Sequence, residues 1–135
     1  MTTTKHTVEL GDRTVSFLEG DVVHAHLKEH RFVEPAAVQQ MFPAIDRERQ
    51  GRKVLLMVTV GNATALSNEA RNFASSEASN RLIPADAIVV RDFGHQLAAN
   101  VFVRDHRPGR PIRMFPDQDC ARAWLLQQHH LINPA

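Results

Sequence analysis

A chain of 135 residues with 43% apolar and 23% charged residues fits one globular domain, taken as residues 1–135. Its net charge of +1 supplies no global field toward nucleic acid or an anionic membrane, and its longest apolar run, Val54 to Val58, is far too short to cross a bilayer. One cysteine, Cys120, excludes an internal disulfide and gives no support to a cysteine-based zinc site.

The opening "MTTTKHTVEL" lacks a signal-peptide-type apolar segment, so the cytoplasm is the expected compartment. Val8 to Leu10, then "GD", then "RTVSFL" predict a hairpin with Gly11 where positive φ is needed. A second turn, Glu19-Gly20-Asp21, leads into "VVHAHL", where Val23, Ala25 and Leu27 share one face and Val22, His24 and His26 the other. Pro35 suits a helix's first turn, and Val38, Met41, Phe42 and Ile45 recur at helical spacing. Pro43 interrupts that helix, and "RERQGRK" ends it with cations and a glycine.

"VLLMVTV" is a strand covered on both faces. A second helix is expected from about Ser67, with Leu66, Ala70, Phe73 and Ala74 inward. "AIVV" is another buried strand, and the helix after it carries Leu97, Ala98, Val101 and Phe102 on one side. "RPGRP" reads as an exposed connection, "IRMF" as the last strand, and Ala121, Trp124 and Leu125 mark a closing helix. The expected fold class is α/β: a mixed sheet with N-terminal antiparallel strands followed by alternating helices and strands.

Three stretches, "LSNEARNFA", "ADAIVVRDFGHQLAANVFV" and "PIRMFPDQDCARAWL", resemble in order the SpoIIAA-like proteins of the STAS/SEC14 group. The resemblance covers roughly Asp21 to Gln127. It implies a SpoIIAA-like (STAS-like) mixed sheet built as successive βα turns. In the better-studied STAS relatives, which are anti-sigma-factor antagonists, a serine at the start of the second helix is phosphorylated and switches partner binding. Ser67 is the matching position; the loop here reads "GNATALSNEA" in place of a D-S-S-G type motif.

From the residues alone, Ser67 reads first as an N-cap, and Glu69 suits the positive end of the helix dipole. The loop is not a nucleotide cradle, having one glycine and no lysine. His24 and His26 share a strand face and His30 follows, but a metal site needs a third group and a second shell, no H-E-x-x-H spacing is present, and His129 and His130 adjoin the C-terminal tail. The basic stretch Arg104 to Arg113 contains Asp105 and no interleaved aromatic, so a solvated loop is expected. Cys120 has no activating partner, and Asp86, Asp92 and Asp105 are scattered.

The expected function is a non-enzymatic regulatory or protein-interaction module of STAS-like type, switched at Ser67. Its working face would comprise Gly61, Asn62, Thr64, Asn68, Arg71, Phe93, Gly94 and His95, and its partner another protein or a second copy of the chain. The alternative is a small-molecule or lipid carrier of SEC14-like character, with a cavity lined by Met57, Phe73, Leu97 and Phe102. In a chain this short those four are expected to fill the core instead. No cofactor, metal, nucleic acid or stable membrane insertion is expected.

Overall fold

The computed structural model describes residues 4–11, 13–28, 32–61, 65–74, 76–90, 92–106 and 109–132. Strands β1 (Thr4–Glu9), β2 (Arg13–Leu18) and β3 (Val22–Leu27) pair antiparallel in sequence order. The turn between β2 and β3 bends through Gly20 and Asp21, both in the left-handed region at φ +78° and +63°. Asp21 tolerates this because a short polar side chain is among the few that visit it routinely.

Two-residue strands β4 (Phe32–Val33) and β6 (Ala65–Leu66) pair in parallel beside the main sheet. Nothing in so short a run marks it as a strand beforehand, and Leu66 lies in β6 where a helix had been expected. Helix α1 (Pro35–Arg49) starts on Pro35, runs through Pro43, and buries Val38, Met41, Ala44 and Ile45. It ends on Gln50 and Gly51, both at positive φ, a left-handed stop that satisfies its last carbonyls.

Strand β5 (Leu55–Val60) is followed by two short helices, α2 (Asn68–Ala74) and α3 (Glu77–Leu82), in place of one. The break falls where Ser76 starts α3 by accepting the Ser79 N–H at 3.3 Å. Then come β7 (Ala85–Val89), α4 (Phe93–His106), β8 (Ile112–Phe115), α5 (Gln118–Gln127) and a single 3-10 turn, His129–Leu131.

The main sheet runs β1-β2-β3-β5-β7-β8, and β3, β5, β7 and β8 are mutually parallel. Its two faces bury different residues. Val15, Phe17, Val23, Ala25, Leu27 and Leu56 pack with α1 and with Ala70 of α2. On the opposite face Leu18, Val22, Leu55, Met57, Ala85 and Ala87 pack with Ala121, Trp124 and Leu125 of α5. Each buried Val, Leu, Phe or Met among these contributes roughly 1.5–3 kcal/mol. Among the described residues no helix is long and apolar enough to cross a membrane.

The basic stretch Arg104–Arg113 corrects the sequence-based expectation. Arg110 is buried, donating from Nε and Nη2 to the two carboxylate oxygens of Asp86 at 2.8 and 2.9 Å. Its Nη1 donates to Asn80 Oδ1 at 2.6 Å. Gly109 lets the chain come this close, since a Cβ there would stand 2.9 Å from Asn80 Nδ2. Burial raises the Asp86 pKa, while the Arg110 hydrogen bonds and charge hold it down. Arg110→Ala strands that carboxylate inside the protein, and chemical denaturation should show a loss of about 3–5 kcal/mol. A double replacement, Asp86→Leu with Arg110→Met, should recover most of it; equal loss in both variants would contradict the pairing.

Candidate functional site

A cleft of about 380 Å3 lies between α2 and α4, on the α1 face of the sheet. Its floor is Leu27, Val58, Val60 and Ile88, at and near the carboxyl ends of the parallel strands. This is where open α/β sheets hold ligands. One wall is α4, through Gly94, His95, Ala98, Ala99 and Phe102; the other is α2, through Arg71 and Ala74.

The cleft stays open because of side-chain length. Helical spacing aligns Gly94, Ala98 and Phe102 on one stripe of α4, and the first two cannot reach the floor. Ala74 is equally short on the other side. The expectation that Met57, Phe73, Leu97 and Phe102 fill the core holds for Met57 and Phe73 and fails for Leu97, which is exposed, and Phe102, which lines the cleft. Of its four named residues only Phe102 lines the cleft: Met57 is buried under α5, and Phe73 packs edge-on against Phe42 at 5.1 Å between ring centres. Leu97 is 50% exposed and Val101 37%, one helical turn apart, beside the cleft stripe.

Polar groups gather at the cleft's rim. Asp92 caps α4 by accepting the His95 N–H at 2.8 Å, and Arg71, Asp92 and His95 all line the opening. Asp86 also lines it, paired to Arg110 as described.

Among the residues expected at the working face, the structure brings Arg71, Gly94 and His95 together. Gly61 is buried and donates its N–H to Leu27 O at 2.8 Å. Asn62 and Thr64 lie outside the described residues. So do the side chains of Asn68, the first residue of α2, and Phe93, the first of α4. Ser67 is only 3% exposed. Its Oγ accepts the Ala70 N–H at 3.0 Å, and its own N–H donates to Val33 O at 2.8 Å.

A second polar group sits on the opposite sheet face, beyond the reach of α5. His24 Nε2 and His26 Nδ1 both stand 2.7 Å from Thr59 Oγ1. A hydroxyl has one proton to give, so with both rings neutral one nitrogen accepts it and the other donates into an oxygen lone pair. Thr59 is the one hydroxyl in the otherwise apolar "VLLMVTV", and its register opposite His26 makes the contact. That interruption, next to two histidines at alternate positions, is the sequence signal for this group.

Other reactive groups have ordinary partners. Cys120 is exposed in the first turn of α5, and its thiol pKa is raised, first by its hydrogen bond to the capping Asp117. It is thus a poor nucleophile at neutral pH. His129 is tied to Asp21, with Nε2 2.7 Å from Oδ2, so it is part of the packed structure.

The family model for the "Domain of unknown function (DUF7793)" matches residues 16–129, and the chain belongs to that family. Among solved structures it is similar to an uncharacterized protein of the DUF3478 family from Shewanella loihica PV-4, described as having a SpoIIAA-like fold. That likeness has a TM-score of 0.55 at 15% identity, covering 93% of this chain and 95% of the other. The fold is SpoIIAA-like, as the sequence resemblance implied. No curated protein matches the chain.

Burial, and secondarily the charge of His26, lowers the His24 pKa from 6.5 to about 4. The folded protein therefore disfavours a proton that the unfolded chain accepts below about pH 6.5. Stability from this residue is complete above that pH and drains as pH falls toward 4, by up to about 3 kcal/mol. Denaturant titrations across that window should show the decline, and His24→Gln should remove most of it. An unchanged slope in the variant would place the acid sensitivity elsewhere.

Proposed function

Starting from membership of a family without an assigned function and from a SpoIIAA-like fold, we propose that this chain is a non-enzymatic interaction module. Its working surface is the α2–α4 cleft with the exposed edge of α4. The observation that carries this reading is the exposure of two large apolar side chains, Leu97 and Val101, on the same helix whose Gly94, Ala98 and Phe102 line the cleft. An apolar centre with Arg71, Asp92 and His95 around it has the pattern of a protein-binding patch: an apolar core with a polar rim. A soluble protein partner in the same compartment, which the sequence suggests is the cytoplasm, fits such a surface.

A switch at the start of α2 would act by opening that turn. The Ser67 hydroxyl is inside and already bonded, so a phosphoryl group could be added only with the first turn displaced. The dianion would then hold it out, altering the wall that carries Arg71 and Ala74. The intact mass of protein purified from its own host with phosphatase inhibitors, with fragments mapped over residues 61–80, tests this. A phosphate on Ser67 supports the switch; an unmodified chain across growth conditions leaves Ser67 as a helix cap.

The cleft volume favours a second reading, as a small-molecule carrier, because about 380 Å3 falls within the usual range for ligand pockets, roughly 300–1,000 Å3. Two substitutions separate the readings. Leu97→Glu charges the surface and leaves the cleft open, whereas Ala98→Trp fills the cleft. For an identified protein partner, Leu97→Glu should weaken binding by about tenfold or more. For a carrier, native mass spectrometry should find a co-purified small mass in wild type and Leu97→Glu but not in Ala98→Trp. If neither variant alters partner binding or cargo, the cleft is not the working surface.

A further inference from the structure

At the other end of the parallel strands, a depression of about 360 Å3 is lined by Asp21, Arg49, Gly51, Arg52, Lys53 and Ile132. Asp21 precedes β3, and Arg52 and Lys53 precede β5, so this depression lies at the strands' amino ends, away from the α2–α4 cleft. Its lining holds three permanent cations against one carboxylate. That carboxylate is already shared: one oxygen of Asp21 accepts from Arg49 Nη2 and the other is hydrogen-bonded to His129 Nε2 at 2.7 Å. The helix-end carboxylate nearest Gly51, Asp46, is exposed and does not line the depression.

Arg49 is the fixed point. Asp21 holds its guanidinium from one side, and its side chain is largely buried. Its Nε is buried with no hydrogen-bond partner, which in a native protein calls for an explanation. Burial, and next the charge of Arg52, lowers the Arg49 pKa: both effects weigh against a positive charge at this spot. Arg52 is aimed by its own Nε donating to Arg49 O at 3.3 Å, and Lys53 stands exposed beside it. Two guanidiniums and an ammonium around one hollow, with a surplus charge of about two, match a dianion with several acceptor oxygens. Phosphate has that charge and geometry, and a carboxylate has only half the charge.

We propose that this depression is a binding site for a phosphate group, carried by a soluble phosphorylated small molecule or by a lipid headgroup, with Arg49, Arg52 and Lys53 as its ligands. The loop from α1 to β5 positions the two exposed cations, and the Asp21–Arg49–His129 arrangement braces the buried one. The site is independent of the cleft and of any partner bound there.

The test uses the full chain, isotope-labelled for NMR and titrated with inorganic phosphate and then pyrophosphate at ionic strength held constant with sodium chloride. Saturable shifts confined to Asp21, residues 49–53 and 129–132 are expected. Arg52→Gln with Lys53→Gln, which alters only exposed side chains, should weaken binding by about tenfold or more. Co-sedimentation with phosphatidylcholine vesicles, with and without a phosphoinositide, distinguishes the sources. Binding only to the phosphoinositide vesicles, lost in the double variant, assigns the site to a headgroup; saturable binding of the free anions assigns it to a soluble ligand. Shifts scattered over the surface, matched by chloride, or unaltered in the double variant would overturn the proposal, as would no binding in either arm.

Discussion

Four adjacent strands, β3, β5, β7 and β8, run parallel, and most of the rest follows from that. A parallel pair needs a crossover, and a right-handed crossover places its helix on a fixed face of the sheet. The helices that pack on Leu56, Val58 and Ile88 therefore share one face, and among the described residues the opposite face is covered by α5 and the 3-10 turn after it. One ten-residue helix cannot cover six strands. It buries Leu18, Val22, Leu55 and Met57 and ends before reaching His24, His26 and Thr59. There the side chains satisfy one another instead: His24 and His26 both stand 2.7 Å from the buried Thr59 Oγ1.

Crowding on the first face works the other way. Helices α1 and α2 are in close contact there through Phe42 and Phe73, whereas α2 and α4 barely touch. The gap between them is the cleft. Its floor belongs to the same sheet face as the core and is just as apolar; the difference is in the residues above it. Val38, Met41 and Ile45 descend from α1, while α4 offers Gly94, Ala98 and Ala99. Asp86, one of the cleft's lining residues, is held by Arg110, although buried ion pairs are often no more stabilising than apolar replacements.

Local patterns announced the elements and long-range pairings did not. Alternation in "RTVSFL" and "VVHAHL", the apolar run before Gly61, and the three- and four-residue spacings of α1 and α5 are properties of adjacent residues, and each was legible. The family resemblance added a SpoIIAA-like mixed sheet built as successive βα turns. Arg110 was read as solvated because "RPGRP" has the composition of a surface loop; its partner lies 24 residues away on a strand, and no local rule connects them. The depression at Arg49 was missed for the same reason. "RERQGRK" looks like an ordinary cationic helix end, and only the fold brings Asp21 and His129, 108 residues apart, to either side of it. Arg71, Gly94 and His95 were reached by position in the family pattern, while Ala98 and Phe102 looked like core because helical periodicity cannot distinguish a face that touches a sheet from one that stands above a gap.

That gap is the feature least explained by folding. Proteins of this size are marginally stable, and void space beneath a helix forfeits contacts that neighbouring side chains would otherwise make. Filling it would be simple: a leucine or methionine at Ala98 lies within the helix's own propensity and would reach toward Val58 and Ile88. Leu97 and Val101 stand exposed on α4 while the small Gly94 and Ala98 line the cleft. Asp92 caps α4 at His95 and fixes its register. The cap, the short side chains and the exposed pair are three separate features of α4, and together they keep open a surface that stability alone would close.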